Sequence, residues 1–450
     1  MKFAIVNGLL WRQGRLEPLG LALFQGRILA IGSMPVGFAP DAVLDARGAI
    51  VLPGFMDLHT HLEDRIGSFD LADSCRSGTE IAVRNGITTL FNFVTQQPPE
   101  SLDEAHARAR RKAAGNLWCD YGLHLTPTRF LPADWEIILE KARCGFRTFK
   151  FYTTYRQAGL FCSYEELETI FQRLAAAGAG CLVHAEDEET LCTAGSAELD
   201  FFRPPTHARM RPPEAEIEAI GRILPIARRI GIRLHFVHVS TREGAQRIRA
   251  ARQDAPVTCE TGPQYLFLDE SWLHRADGHR WLCSPPLRSA ENRASLAEAA
   301  RQECFDLLAT DHCAFRRQDK DGASADIRTV PNGIAGIGAL PHLAAQLLGW
   351  PNPGAIPSLV RMLSENPARG SGLWPRKGTI AVGSDADLVL VGTRKPEASI
   401  RSSLSDCHET YPGFPAVLDI RAVILRGTPV MLEGQLIKEA APRGILCQRP

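Results

Sequence analysis

Two histidines separated by one residue, His59 and His61, end an apolar segment that begins at Gly54. If that segment is a β-strand, both imidazoles project to the same face, because side chains along a strand alternate with a period of two. Two imidazoles on one face form half of a tetrahedral ligand set for a divalent ion. A single strand histidine is more commonly a hydrogen-bonded core residue, so the pair is informative only together with ligands from elsewhere in the chain.

Further residues with metal-binding chemistry follow other apolar segments at corresponding positions. Imidazole and carboxylate groups are ligands that suit Zn²⁺ or a similar divalent ion. Four histidines and one aspartate that end separate strands therefore indicate a metal site, provided that the fold gathers the strand ends. Besides His59 and His61, these residues are His184, His238 and Asp311, and Lys150 ends a further strand-like segment.

The middle of the chain alternates strand-like and helix-like segments, a pattern typical of α/β folds. Helical periodicity is clear over 163–177, where Glu165, Glu166 and Glu168 lie in the first turn, and over 213–229. Eight such units over roughly 300 residues predict a (β/α)₈ barrel of the TIM type, in which the chemistry lies at the C-terminal strand ends. The predicted strands are Gly54–His61, Thr88–Phe93, Trp118–Leu125, Arg147–Tyr152, Gly180–Ala185, Ile232–Ser240, Val257–Thr261 and Phe305–Asp311.

Both ends of the chain contain short β-branched segments divided by glycine and aspartate, which is a strand signal. We expect residues 1–52 and 373–450 to pair into one small β-domain resembling a sandwich. The barrel is then predicted to occupy residues 53–372.

Composition argues against several classes of partner. The 450 residues include 51 basic and 51 acidic side chains, so no excess charge favours a nucleic acid or an anionic membrane. No apolar run approaches the ~18–20 residues of a membrane span. The start of the chain is typical of a strand entering a turn rather than of a signal peptide, and we therefore expect a cytoplasmic protein. Twelve cysteines without a C-x-x-C pair predict free thiols.

A series of motifs resembles the hydantoinase and dihydropyrimidinase branch of the cyclic amidohydrolases, within the amidohydrolase superfamily. In chain order they are PGFMDLHTHL, GFRTFKFYTTY, LVHAED, FVHVSTREG, ETGPQYLFLD, CSPPLR, ATDHCAF, PNGIAGIG, ENPAR and RKGTIAVGSDADLVL. The resemblance extends over nearly the whole chain. It implies a metal-dependent hydrolase that opens a cyclic amide of the hydantoin or dihydropyrimidine type to an N-carbamoyl amino acid.

The resemblance also implies a binuclear metal centre. The more buried ion would be held by His59, His61 and Asp311, and the second ion by His184 and His238. Lys150 would bridge the two ions as a carbamate formed with CO₂. A protonated ammonium cannot be a ligand, so a lysine inside such a cluster must become neutral or anionic. Zn²⁺ is favoured by the ligand types, and Mn²⁺ and Co²⁺ also fit.

The same resemblance implies roles in the reaction. Two ions ~3.5–4 Å apart would share a hydroxide, whose proton Asp311 would take and pass to the leaving nitrogen. Tyr155, five residues after Lys150, would donate a hydrogen bond to the developing oxyanion. Main-chain atoms around Ser284 and Asn332 would bind the imide edge of the substrate.

The loop after the first predicted strand departs from this branch, which usually has apolar gating residues there. Glu63, Asp64 and Arg65 are charged, and a solvated loop is the plain interpretation. Dihydroorotases and allantoinases usually carry an arginine where Glu63 stands, although Arg65 is close enough to substitute for it. Asn92 stands where dihydroorotases often have a substrate-binding asparagine. An allantoinase-like or dihydroorotase-like activity is therefore the alternative, and the substituent on the substrate ring is left open.

A non-catalytic scaffold homologue is a second alternative, disfavoured because such members typically lack metal ligands. The branch is commonly tetrameric or dimeric, so the resemblance implies a homotetramer or homodimer. Among the other histidines, we expect His235 to point to the strand face opposite His238, and His312 to pack beside the site.

Overall fold

The computed structural model describes residues 2–195, 198–322, 326–392, 396–437 and 444–447. Eight parallel strands form a nearly closed barrel, and strands from the two ends of the chain form a separate, mainly antiparallel sheet. This architecture confirms the predicted fold class. The domain boundaries at residues 52 and 372 remain a prediction.

The strands are β1 (Lys2–Arg12), β2 (Arg15–Phe24), β3 (Arg27–Ile31), β4 (Ala42–Asp45), β5 (Ile50–Pro53), β6 (Phe55–Thr60), β7 (Arg65–Ile66), β8 (Phe69–Asp70), β9 (Ile87–Thr95), β10 (Asp120–Thr126), β11 (Thr148–Tyr152), β12 (Gly180–His184), β13 (Leu234–Phe236), β14 (Val257–Thr261), β15 (Leu307–Leu308), β16 (Leu388–Gly392), β17 (Asp419–Leu425), β18 (Thr428–Leu432) and β19 (Gln435–Leu436). The α-helices are α1 (Cys75–Arg84), α2 (Leu102–Ala113), α3 (Pro132–Arg143), α4 (Tyr164–Ala176), α5 (Glu188–Gly195), α6 (Pro205–Met210), α7 (Pro213–Ile230), α8 (Arg242–Ala251), α9 (Pro263–Phe267), α10 (Ala290–Arg301), α11 (Arg317–Gly322), α12 (Leu340–Leu347), α13 (Ile356–Val360) and α14 (Asn366–Ser371).

The barrel sheet has the strand order β6, β9, β10, β11, β12, β13, β14, β15. The edge strand β6 contacts the main chain that follows the other edge strand, β15. Thr60 forms a parallel bridge with His312, and the amide of His61 donates to the His312 carbonyl at 2.7 Å. Parallel strands place their C-terminal ends at one rim, so residues that end β6, β11, β12 and β15 lie on the same side.

Two barrel strands are at least five residues shorter than predicted. The sixth ends at Phe236 rather than at Ser240, and the eighth spans Leu307–Leu308 rather than Phe305–Asp311. The backbone is left-handed at His238 (φ 39°) and Asp311 (φ 51°), a conformation far from that of an extended strand. The chain therefore turns at two of the predicted metal ligands.

The predicted helices at 163–177 and 213–229 are confirmed to within one residue at each end, as α4 and α7. Helix α4 begins with a capping box. The Ser163 hydroxyl accepts from the Glu166 amide at 3.1 Å, and the Glu166 carboxylate accepts from the Ser163 amide at 2.8 Å. Each side chain satisfies an amide that the helix leaves unpaired. The buried face of α4 packs in the main core, through Leu167, Ile170, Phe171 and Leu174.

The terminal sheet has the order β19, β18, β17, β16, β5, β1, β2, β3, with β4 beside β1. Strands β5 and β16 join the two ends of the chain antiparallel, with Ile50 opposite Val391. The sheet has its own apolar core, which includes Ile5, Val51 and Leu388. The predicted pairing of the two termini is thereby confirmed.

Buried charges connect the terminal sheet to the barrel. The ammonium of Lys377 lies 2.6 Å from Asp120 at the start of β10, and it also contacts Asp387 just before β16. Burying one cation among carboxylates limits the cost of desolvating each charge. Within the described ranges no helix is long and apolar enough to cross a membrane, and the twelve cysteines are free thiols, as predicted.

Candidate metal centre

The histidine pair at the end of β6 lies close to the carboxylate of Asp311, in the segment that follows β15. Nε2 of His59 is 2.9 Å, and Nε2 of His61 3.3 Å, from Oδ1 of Asp311. Ligand atoms of all three residues lie within 4.8 Å of one another. Burial lowers the pKa of His61 to about 4, so its imidazole is neutral and offers the lone pair that a metal requires. The structure brings together the three residues predicted for the more buried ion.

Lys150 lies beside this group on β11. Its Nζ is 3.0 Å from Nε2 of His59, and the residue is 2% exposed. The ring of Phe93 lies 4.1 Å from Nζ. Burial lowers the pKa of Lys150 to about 8, so the neutral amine is more accessible here than at the surface.

Strand β12 and the turn after β13 supply the other two histidines. Nδ1 of His184 and Nε2 of His238 are 3.0 Å apart. Burial lowers the pKa of both rings, which keeps them neutral. The ring centre of His238 is also 5.3 Å from that of His59, so the two predicted ligand groups are adjacent.

The donor chemistry of this centre fits divalent ions. The imidazoles of His61, His184 and His238, whose pKa values burial lowers, converge with an ionised carboxylate. Burial opposes the ionisation of Asp311, but the charge of His59 and hydrogen bonds from His59 and His61 hold the pKa of Asp311 well below its usual range. Such mixed nitrogen and oxygen ligands are typical of catalytic zinc and related ions. Lys150 lies beside them, with Nζ 3.0 Å from Nε2 of His59.

A carboxylate missed by the sequence analysis orients His184. Oε2 of Glu186 is 2.6 Å from Nε2 of His184, and the Arg211 guanidinium binds the same carboxylate. Arg211 also lies 4.9 Å from the ring centre of Tyr155. Hydrogen bonds of this kind hold a ligating ring in one orientation and tautomer. The signal available in the sequence was the acidic residue two positions after the histidine in LVHAED.

A second missed carboxylate, Glu260, lies behind His59. It accepts a hydrogen bond from Nδ1 of His59, and its other oxygen is 3.1 Å from Nε2 of His235. The expectation that His235 points away from the site is therefore wrong. Because β13 ends at Phe236 and the chain turns at His238, strand alternation does not hold between residues 235 and 238.

Asp57, also missed, joins β6 to the segment after β15. It accepts from the Thr310 hydroxyl at 2.6 Å, and from the amides of Thr310 and His59 at 3.1 Å each. Burial raises the pKa of Asp57 to about 6. These bonds hold the Asp311 turn against His59.

A cavity of about 790 Å³ lies against the predicted metal ligands, and its wall includes Tyr155, Ser284 and Asn332. Tyr155 has a left-handed backbone (φ 66°), and its ring centre is 5.1 Å from that of His184. Burial raises the pKa of Tyr155 to about 12, so its hydroxyl keeps the proton that a donor needs. The three predicted substrate contacts therefore line the same cavity as the predicted metal ligands.

The loop after β6 is more ordered than a solvated loop. The Glu63 carboxylate accepts from the Cys75 amide at the start of α1, at 2.8 Å. Asp64 forms an ion pair with Arg108 at 2.9 Å. Arg65 is exposed at the surface and lines the cavity. Only Arg65, of the three charged residues, fits the solvated-loop interpretation.

The side chain of Asn92, which the sequence comparison with dihydroorotases suggested as a substrate contact, binds the main chain instead. It is buried, and its side-chain oxygen accepts from the Leu62 amide at 2.7 Å. The side chain thereby holds the start of the loop against β9.

The whole-chain similarities agree with this geometry. Residues 50–428 match the sequence profile of the amidohydrolase family. The chain belongs to this family. This amidohydrolase is 30% identical to the D-hydantoinase of Ralstonia pickettii over 473 residues, which cover 100% of the chain and 99% of that protein.

Solved structures place the amidohydrolase in the same branch that its motifs resemble. The dihydropyrimidinase from Brevibacillus agri superimposes with a TM-score of 0.90 at 30% identity, covering 100% of this chain and 99% of that one. The L-hydantoinase (dihydropyrimidinase) from Arthrobacter aurescens gives a TM-score of 0.87 at 27% identity, covering 99% of both chains. The resemblance to hydantoinases and dihydropyrimidinases is confirmed.

Proposed function

We propose that this amidohydrolase uses two divalent metal ions to hydrolyse a cyclic amide of the hydantoin or dihydropyrimidine type, releasing an N-carbamoyl amino acid. The proposal is carried by the convergence of six residues at one end of a cavity large enough for such a ring. Zinc is favoured by the ligand types. The ligands are His59, His61, Lys150, His184, His238 and Asp311.

Lys150, once converted to a carbamate, would be the ligand shared by the two ions. In this step the neutral ε-amine attacks CO₂, a nitrogen–carbon bond forms, and one proton leaves to solvent. The lysine is thereby converted from a cation into an anionic ligand. The pKa of about 8 that burial imposes on Lys150 supports the step, because only the unprotonated amine reacts.

When bound, the two ions supply Lewis acidity and a water molecule activated as nucleophile. The Asp311 carboxylate accepts the proton of the attacking water and delivers it to the leaving ring nitrogen. The Tyr155 hydroxyl donates a hydrogen bond to the carbonyl oxygen as negative charge develops there. Glu186 and Glu260 keep the rings of His184 and His59 in the ligating tautomers.

Substrate orientation falls to the segments around Ser284 and Asn332. A cyclic ureide presents an N–H between two carbonyl oxygens, and main-chain donors and acceptors can bind that edge without side-chain specificity. The position of both residues on the cavity wall supports this role.

Metal analysis and a substrate panel test the proposal together. The purified protein should contain about two divalent ions per chain, and it should hydrolyse hydantoin or dihydrouracil only while the metal is present. Activity that survives complete removal of metal would contradict the mechanism. Hydrolysis of allantoin or dihydroorotate without any hydrolysis of hydantoin or dihydrouracil would favour the alternative substrates, and failure on the whole panel would favour the scaffold alternative. Light scattering on the same preparation tests the homotetramer or homodimer.

A further inference from the structure

Apart from the predicted metal ligands, three charged side chains line the described part of the cavity wall: Asp64, Arg65 and Arg328. Two of them are already neutralised. Asp64 pairs with Arg108 at 2.9 Å. Arg328 forms a fork with Asp326, with Nε at 3.0 Å and Nη2 at 2.6 Å from its two carboxylate oxygens.

Arg65 differs from both, because no carboxylate in the described parts of the chain pairs with it. Within those parts, its guanidinium contacts the Ser68 carbonyl at 3.4 Å. Asp70 is its partner across the β7–β8 hairpin by backbone register, yet no ion pair joins the two side chains in the described structure. An uncompensated positive charge therefore faces the cavity.

The hairpin that carries Arg65 is anchored to the barrel side of the cavity by its second strand and the residue after it. The Phe69 ring packs edge-on against Phe315 at 6.2 Å, and Leu71 forms an antiparallel bridge with the same Phe315. Arg65 also follows His61 by only four residues, so their Cα atoms cannot be more than ~14 Å apart. Both residues line the same cavity, so a substituent that extends from a ring bound at His61 can approach the long arginine side chain.

We infer that Arg65 binds an anionic substituent on the substrate ring, so that the preferred substrate is a cyclic ureide that carries a carboxylate. The inference rests on the proposed function and deepens it. A guanidinium matches a carboxylate with two parallel hydrogen bonds. An apolar substituent in the same place would desolvate the guanidinium without giving it a partner.

Matched substrates isolate the charge of the substituent. The kcat/KM for carboxymethyl-hydantoin should exceed that for the neutral carbamoylmethyl isostere at least tenfold, since hydrogen bonds to charged groups are the stronger ones. Arg65→Gln should bring this ratio close to one. Arg65→Lys should keep part of it, because the charge remains while the fork is lost. Raising the salt concentration to ~1 M should shrink the parent ratio, since Arg65 is exposed.

Arg328→Gln is the matched control, because the charge of Arg328 is already paired with Asp326; its ratio should equal that of the parent. An Arg65→Gln variant that keeps the parent ratio, or a parent that prefers the neutral or a phenyl-substituted ring, would overturn the inference. If either result is found but the parent still hydrolyses unsubstituted hydantoin, the inference about Arg65 fails and the proposed function is retained. A metal-loaded protein that hydrolyses none of the rings would overturn both.

Discussion

The buried carboxylate of Glu260 accepts a hydrogen bond from Nδ1 of His59. Because a carboxylate can only accept, Nδ1 carries a ring proton, which leaves Nε2, beside Asp311 and Lys150, as the nitrogen that could bind a metal. Glu260 is 2% exposed, and His235 binds its second oxygen, so the carboxylate is fixed at both oxygens. Glu260 thereby decides which nitrogen His59 offers to a metal.

Glu260→Gln should weaken metal binding about tenfold to hundredfold, as expected when a residue that orients a ligand is altered. The amide can present its NH₂ to Nδ1 and so favour the wrong tautomer of His59. Titration of the apoprotein with metal against a competing chelator measures the affinity.

Glu216→Gln provides the matched control for this prediction. Glu216 is also buried, but it binds the hydroxyls of Ser240 and Thr241 and none of the predicted ligands. Its replacement should lower stability and leave the metal affinity at the parent value. Equal affinities in the two variants would show that Glu260 does not orient His59.

Lys150→Ala should abolish metal-dependent turnover, because the bridging carboxylate is lost with the amine. A small carboxylate such as propionate, added at high concentration, should fill the space and restore part of the activity. Steady-state kinetics with metal analysis of the variant measures both effects. Lys112→Ala, which removes an amine bound to the Glu63 carbonyl, should remain active. Parent turnover in Lys150→Ala without any added carboxylate would refute the carbamate.

Tyr155→Phe should lower kcat by ~10²–10³-fold, the usual effect of removing one donor to a developing oxyanion. Metal content should stay at the parent value, and KM should change less than kcat, because the hydrogen bond strengthens mainly in the transition state. Tyr164 on α4 is the matched control, because its hydroxyl donates to Asp187 at 2.7 Å. The Tyr164→Phe variant should keep the parent kcat. A Tyr155→Phe variant as fast as the parent would remove Tyr155 from the mechanism.

Protonation of Asp73 should lower the free energy of unfolding at acid pH. It is buried, and it accepts from His312 at 3.0 Å and from Ser405 at 2.6 Å. Burial opposes its ionisation, but the hydrogen bond from His312 prevails and lowers the pKa from 3.8 to about 2. Since the folded value is below the unfolded one, the contribution of about 2 kcal/mol is complete above pH ~4 and is lost as the pH falls through ~2.

Denaturant unfolding of Asp73→Asn across this pH range tests the assignment. The variant should be less stable than the parent at neutral pH, and its stability should fall less steeply between pH ~4 and ~2. Asp70→Asn, at an exposed position three residues earlier, should follow the parent curve. Parallel curves for Asp73→Asn and the parent would mean that Asp73 titrates alike in the folded and unfolded states.

The fold class and the clustering of the candidate metal ligands could be predicted from the sequence because both depend on local periodicity. The alternation of strand and helix signals indicated the barrel, and a parallel barrel gathers its strand ends at one rim. His59, His61 and His184 each end such a strand, so a linear pattern predicted a cluster in space. Strand lengths were less predictable, since the turns at His238 and Asp311 have no distinctive residue signal.

What only the tertiary structure decided is how the ligands are held and what else faces the cavity. Glu260 is 201 residues away from His59 in the chain, and no local pattern links them. Asn92 and Arg65 both have side chains able to bind substrate. The side chain of Asn92 is buried and binds the Leu62 amide, whereas Arg65 lines the cavity. Periodicity specifies the direction of a side chain along its own element, whereas its partner depends on long-range packing between elements.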